Sequence, residues 1–255
     1  MTPQRDRSAE QDADVSGPHA GPTPIVVEVD GTASGREAVA WATREAIRRG
    51  TTVRVLSPRD PDEVIAAPQD ASMIVVGSAS FLAMSDLARG STAMAVAVGA
   101  DVPVIVVRPG PPHADPGPSA GRVVVGTDGT RLSEAAVGFA FAEARDRGCG
   151  VTVVHAVERE DQRPEAEGML ARLAAGRTDA RAVVAADLAS HVLIEESAGA
   201  RLVVVGSRGH AGLGGMLLGS VSQAVVHRAH CPVAVVRATA RVSGQERWTR
   251  GSRNA

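Results

Sequence analysis

Short aliphatic runs recur along the chain, at residues 25–27 (IVV), 53–56 (VRVL), 73–76 (MIVV), 103–107 (PVIVV), 123–125 (VVV), 151–154 (VTVV), 202–205 (LVVV) and 232–236 (PVAVV). Their β-branched bias is that of strands buried on both faces, as in a parallel sheet. Between the first two runs lies a helical pattern. In IVVEVDGTASGREAVAWATREAIRRGTTVRVL, Ser34 and Glu37 make a predicted capping box, and Ala38, Trp41, Ala42, Glu45 and Ala46 follow at helical spacing. Arg48, Arg49 and Gly50 then close the helix with cations and a C-cap. The stretch is a βαβ unit, and the fold class is α/β.

The unit returns at Val123 as VVVGTDGTRLSEAAVGFAFAEARDRGCGVTVVHAV. A shift of 98 positions lays Asp30 on Asp128, Gly31 on Gly129, Thr32 on Thr130, Glu45 on Glu143, Arg49 on Arg147 and Gly50 on Gly148. A later stretch matches at a shift of 129, with Gly77 on Gly206, Gly90 on Gly219, Ser91 on Ser220, Pro103 on Pro232 and Arg108 on Arg237. The chain is therefore an internal duplication. Two tandem doubly wound parallel-sheet domains are expected, over residues 24–108 and 122–238. Residues 109–121 (PGPPHADPGPSAG) read as an extended, semi-rigid linker. The polar tails, residues 1–23 and 239–255, are expected to be disordered.

The two shifts differ by 31 residues, which the first half lacks between its second and third aliphatic runs. In the second half that interval holds a helix candidate at residues 163–175, a strand candidate at 182–185 and a helix through 188–198. The first half keeps only SPRDPDEVIAAPQDAS. One helix and one strand are missing from it.

Composition agrees with this architecture. Apolar residues make up 44% of the 255 and aromatic ones only 2%, so the core is built from Val, Ala, Leu and Ile. So few aromatic residues also count against single-stranded nucleic-acid binding, and a net charge of −2 gives no general pull toward nucleic acid or anionic membrane. Cys149 and Cys231, far apart in sequence, read as free buried thiols of a reducing compartment. With no run approaching a membrane span and no apolar signal core, a cytoplasmic protein is expected.

The chemistry concentrates in GSRGHAGLGGMLLGSVSQAVVHRAHCPVAVVR, residues 206–237. Gly206 and Gly209 remove side chains where the backbone leaves a strand, so main-chain N–H groups come close to a ligand. Ser220 and Gln223 form a predicted capping box, so a helix starts at Ser220. Its free N–H groups and dipole attract phosphate, with Arg208 and His210 nearby. A Walker loop is excluded, because it needs lysine and all 27 basic residues are arginine.

The spacing Gly-x-x-Gly, nine residues, Gly-Ser, at Gly206, Gly209, Gly219 and Ser220, resembles the ATP-binding signature of the universal stress protein family. The resemblance covers residues 24–108 and 122–238. It implies a sheet order of 3-2-1-4-5 in each domain, Rossmann-like, with the strand missing from the first lying at an edge. It further implies ATP, with Mg²⁺, as the ligand of the second half. Thr127 and Asp128 match the position that meets the nucleotide or its metal, and Ala156 the strand end that contacts adenine through backbone. Gly206, Arg208, Gly209, Gly219, Ser220, Val221 and Ser222 match the loop that takes ribose and phosphates. The final strands often pair family domains side by side; here residues 103–107 and 232–236 would form an intramolecular pseudo-dimer, with a homodimer also open. The implied role is a stress-response regulator acting through an unidentified protein partner.

The first half departs from the signature. Ser80 replaces the second loop glycine, Ala79 replaces Arg208, Asp86 falls opposite Gly215, and Glu28 replaces Gly126. Two added carboxylates repel a triphosphate, so this half is expected to be structural. No positioned nucleophile, base or arginine finger is evident, which limits any hydrolysis to a slow rate. Other readings of the residues stand beside this one: Asp128 as an ordinary turn residue; His155 as a catalytic base, although a histidine at a strand end is more often a packed polar tip; and His227, His230 and Cys231 as a metal site, although their spacing matches no standard zinc pattern and the family has a similar stretch as plain structure. The whole chain could also be a nucleotide-independent interaction module, or an enzyme of the wider ATP-using α/β group; the latter would show an SGGxDS-like loop where this chain has GTDGTRLS.

Overall fold

The computed structural model describes residues 23–57, 71–79, 100–109, 116–177, 179–207 and 218–240. The first half contributes β1 (Ile25–Glu28), α1 (Ala33–Arg49), β2 (Val53–Leu56), β3 (Met73–Gly77) and β4 (Val104–Val107). The second contributes β5 (Val123–Gly126), α2 (Arg131–Arg147), β6 (Val151–Ala156), α3 (Arg163–Ala174), β7 (Ala180–Ala185), α4 (Ala189–Glu196), β8 (Leu202–Gly206), α5 (Ser220–Arg228) and β9 (Val233–Val236).

The two halves form one nine-stranded sheet, in the order β2-β1-β3-β4-β9-β8-β5-β6-β7. Read from its edge, the second half runs β7-β6-β5-β8-β9, which is the order 3-2-1-4-5. The first half has the same order without its edge strand. Pairing is parallel within each half and antiparallel at one place, β4 against β9, where Ile105 opposes Ala234. The last strands of the halves thus form the pseudo-dimer inside one chain. Both strands are buried throughout. Their aliphatic runs are long enough in β-branched residues to fill both faces of a central strand.

Apolar cores lie on both faces. One, containing Ala38, Trp41, Phe139 and Leu170, draws residues from both halves. Here α1 and α2 meet through two buried glutamates. Glu45 and Glu143 are only 4% and 2% exposed. Arg49 bonds Glu45 of its own helix and Glu143 of the other. In the reciprocal arrangement, Arg147 Nη2 lies 3.1 Å from Glu143 Oε2 and 3.0 Å from Glu45 Oε2. Arg48 adds a bond to Glu45 and donates to the Asp146 carbonyl at 2.7 Å, while the Arg147 guanidinium sits 5.8 Å from the centre of the Trp41 ring. Burial alone raises the Glu45 pKa, but the Arg48 hydrogen bond and the charges of Arg147 and Arg49 outweigh it and hold the carboxyl below its ordinary value.

A second exchange occurs at the strand ends. Arg108 donates to the Val226 carbonyl near the end of α5 (3.4 Å), and its counterpart Arg237 donates to Ala100 O (3.4 Å) and Asp101 Oδ1 (3.3 Å).

Several local expectations are corrected. The cap of α1 is Thr32, whose hydroxyl accepts from Gly35 N–H at 3.0 Å; Ser34 is buried inside the helix and bonds elsewhere. The cap of α5 is Gly219, with no side-chain cap bond, so the predicted capping box at Ser220 does not form. Its helix nevertheless starts at Ser220.

The described end of the linker, residues 116–121, is no extended spacer. Gly117 N–H donates to Ala198 O at 2.9 Å and Gly121 N–H to Gly199 O at 2.8 Å. Ser119 is fully buried, and its hydroxyl bonds Glu196 and Thr152. A polar side chain that finds buried partners outweighs the preference of a Pro-rich segment for extension.

The glutamate exchange leads to a stability prediction. Removing one partner of a buried ion cluster leaves charge unpaired, so Glu143→Ala should lower the unfolding free energy at pH 7 by about 3–5 kcal/mol in urea titrations. An effect under about 1 kcal/mol would show that the two helices do not depend on the exchange.

Candidate functional site

The sheet order reverses between β5 and β8, which pair in parallel with Val125 opposite Val204. A crevice beyond the carboxyl ends of strands at such a reversal is where ligands bind in doubly wound sheets. Thr127 and Asp128 leave β5 there, Ala156 ends β6 and Gly206 ends β8.

The turn after β5 is built from its own polar groups. Asp128 Oδ1 accepts from Thr130 N (3.0 Å) and Thr130 Oγ1 (2.6 Å), closing an Asx-turn, and Gly129 takes the left-handed φ of +75° that this turn needs. The Ser133 hydroxyl donates to the Thr130 carbonyl at 2.8 Å, so the Thr127 hydroxyl is the donor in its 2.9 Å bond to Ser133. Thr127 Oγ1 also accepts from Gly129 N at 3.2 Å. Thr127 is therefore committed to shaping the turn. His155 Nδ1 lies 2.8 Å from the Thr127 carbonyl, which makes that nitrogen the protonated one.

On the other side, the chain leaves β8 at Gly206, and Gly219 stands beside the same strand end. Ser207 N–H donates to Val236 O and Gly219 N–H donates to Ser207 O, both at 3.0 Å. The Ser222 hydroxyl, buried, donates to Gly206 O at 2.5 Å and ties the first turn of α5 to the strand end. Helix α5 begins with no capping side chain and no acid in its first turn. Its N-terminal N–H groups, at Ser220, Val221 and Ser222, have no intrahelical acceptor by the geometry of a helix start. They form the positive end of the helix dipole. Gly206, Gly219, Ser220, Val221 and Ser222 are thus assembled at one strand end, neighbouring the end that carries Thr127 and Asp128. Arg208, Gly209 and His210 lie outside the described residues.

Sequence reasoning passed over Ser207, Thr130 and Ser133. The Asp-Gly-Thr order of an Asx-turn signals Thr130; nothing local signals that Ser207 receives Gly219. Among the described residues, no three His, Cys, Asp or Glu side chains are grouped to hold a metal. No described helix is long and apolar enough to cross a membrane.

The corresponding place in the first half is bridged by protein groups. Ala79 N–H donates to Ser34 Oγ (2.9 Å), Ser34 lies 2.9 Å from Thr32 Oγ1, and Thr32 donates to Asp30 Oδ1 (2.7 Å). Gly77 packs so closely that a Cβ there would stand 2.7 Å from Gly35 N. Beside it, Glu28 is 4% exposed, with one carboxyl oxygen unbonded among the described residues. Burial and the nearby Asp30 push its pKa up to about 7. Ser80, Asp86, Gly90 and Ser91 lie outside the described residues.

Residues 57–108, 120–193 and 188–237 match the profile of the universal stress protein family. This chain belongs to that family. Its tandem form has relatives in mycobacteria: a universal stress protein of Mycobacterium tuberculosis (strain H37Rv) is 36% identical over 232 residues, spanning 80% of this chain and 77% of the relative. One from Mycolicibacterium smegmatis is 36% identical over 195 residues, 68% of this chain and 64% of the relative. In fold, this universal stress protein resembles the crystal structure of a universal stress protein from Archaeoglobus fulgidus, with a TM-score of 0.63 at 18% identity, covering 84% of this chain and 96% of that one.

The buried Glu28 gives this universal stress protein a pH signature. A carboxyl with a folded pKa near 7 and an ordinary value of 4.5 binds more protons folded than unfolded in that interval. Its contribution is full below pH 4.5 and is lost as pH rises through 7. Glu28→Gln should therefore remove about 1–3 kcal/mol of the stability lost between pH 5 and 8, measured by urea melts across that range. An unchanged slope would show that Glu28 ionises without penalty.

Proposed function

We propose that the second half binds ATP with Mg²⁺ between the ends of β5 and β8, and that the chain is a cytoplasmic stress-response regulator whose nucleotide state biases contacts with a protein partner. The observation that carries this reading is the start of α5. A dipole end with no capping side chain and no acid is held against β8 by Gly219 and Ser222, at the reversal of strand order. Phosphate oxygens suit such a site.

The donors in this reading are the N–H groups of Ser220, Val221 and Ser222, since the Gly219 N–H and the Ser222 hydroxyl are already committed to the protein. Arg208 and Gly209 supply charge and close backbone approach. Asp128, with one oxygen in the Asx-turn, suits Mg²⁺, which is held mainly by phosphates and water and takes few carboxylates from the protein. Thr127 shapes that turn, and the backbone at Ala156 meets adenine. Residues 24–108 and 122–238 act as the two domains. The first is structural: its crevice is bridged by the Ser34 relay and carries the buried Glu28.

Thermal melting with and without Mg-ATP tests this. A ligand at about 100 times its Kd adds about 2.7 kcal/mol. For a chain of this size that corresponds to about 5–10 °C in Tm. The shift is expected in the wild type and absent in a Gly206→Val, Gly219→Val double variant, and equilibrium dialysis should find one ATP per chain. No shift at millimolar ATP would make the protein a nucleotide-independent interaction module; two ATP per chain would refute the structural role of the first half.

A further inference from the structure

The duplication lets the edge of the first half, which no described element covers, be compared with its covered counterpart. In the second half β6 is flanked by β7 along its whole length, from Val151 opposite Ala180 to Ala156 opposite Ala185. Helix α3 packs against the same two strands, with Leu170 fully buried. Under this cover Val153 is 1% exposed; its first-half counterpart Val55 is 56% exposed. A side chain at Gly129 would overlap Met169 of α3, whereas among the described residues nothing lies within 4 Å of the equivalent point at Gly31. Strand β2 ends the sheet.

The flank of α1 next to this edge carries one partly buried valine, Val39, between exposed Arg36 and Thr43. Trp41 and Glu45 turn toward α2, as their contacts with Arg147 show. Val39, two residues before Trp41, lies about 200° round the helix from it. Val39 and Val53 are half-buried against the core, so they continue the surface on which Val55 stands.

We propose that this edge is a self-association surface, covered by β2 of a second copy of the chain around a two-fold axis. The chain's own N-terminal segment enters beside β2, where Thr51 Oγ1 donates to Thr23 O at 2.9 Å. Residues 1–22 nevertheless offer only one β-branched aliphatic residue, Val15, and three prolines, so they do not supply a strand. A second β2 does. In a two-fold antiparallel pair, opposed residues share a face, so the axis passes through Val55 or Arg54. Centring on Arg54 sets like charges opposite each other, which is unfavourable. Centring on Val55 stacks the two exposed valines and sets Arg54 against Leu56. The chain already joins its halves by an antiparallel pair of this kind at β4 and β9. The alternative pairing of β2 with β7 of a neighbour leaves an open edge at every step and grows without closing.

Sedimentation equilibrium on the full chain tests the proposal. The wild type should weigh about twice its 26.1 kDa, Val55→Glu should be monomeric, and Ala182→Glu on the opposite sheet edge should stay dimeric. A Val55→Cys chain should form a covalent dimer under mild oxidation that the wild type, with its two free thiols, does not. A monomeric wild type, a dimeric Val55→Glu, a mass that climbs with concentration, or no covalent dimer from Val55→Cys would each overturn it.

Discussion

Each half of this molecule buries a glutamate that is paired both with arginine of its own helix and with an arginine from the other half. Glu45 and Glu143 sit on the faces of α1 and α2 that pack inward, where an unpaired carboxylate is strongly unfavourable. Arg49 and Arg147 each bridge both acids. The β4–β9 pair sets the halves side by side, and the charge exchange makes that one placement better than a shifted one. A buried ion cluster adds less to stability than its Coulomb attraction suggests, because its members lose hydration; its main effect is to penalise arrangements that separate them. The continuous sheet, the shared core and the relative position of the two crevices all follow from this joint.

Within that frame the duplicated halves have diverged at the strand ends. Both keep the aspartate of the Asx-turn, with Thr32 and Thr130 bonding it in the same way. In the first half the Thr32 hydroxyl also caps α1 and connects through Ser34 to the end of β3, so hydrogen bonds span the place where a ligand would sit. In the second half Ser133, standing where the first has Gly35, draws the Thr127 hydroxyl inward. The start of α5, with Ser220 exposed, stands at the neighbouring strand end. Among the described residues, the two halves thus use their hydroxyls differently at equivalent strand ends.

Much of this was legible in the chain itself. The aliphatic runs, the helix closed by Gly50 and its copy closed by Gly148, and the missing helix and strand come from local periodicity and from comparing the halves. The glycine and serine positions at the ends of β8 and α5 were legible for the same reason, since strand, loop and helix follow in unbroken order. The caps were not. Two hydroxyls near a helix start compete for the same role, and Ser34 loses it to Thr32 because Ala79, 45 residues away, engages it. The docking of residues 116–121 was not legible either, because the partners of Ser119, Thr152 and Glu196, lie far along the chain.

The sequence by itself determined the βαβ units, their duplication, the shortened first half and the strand ends at which the sheet order reverses. These depend on spacing between near neighbours, which the chain carries directly. Tertiary structure alone decided that the two sheets become one, that Glu45 and Glu143 are neutralised across the halves, and that the first crevice is bridged. Each of these is a contact between groups tens of residues apart, and its free energy exists only once folding has removed water from between them.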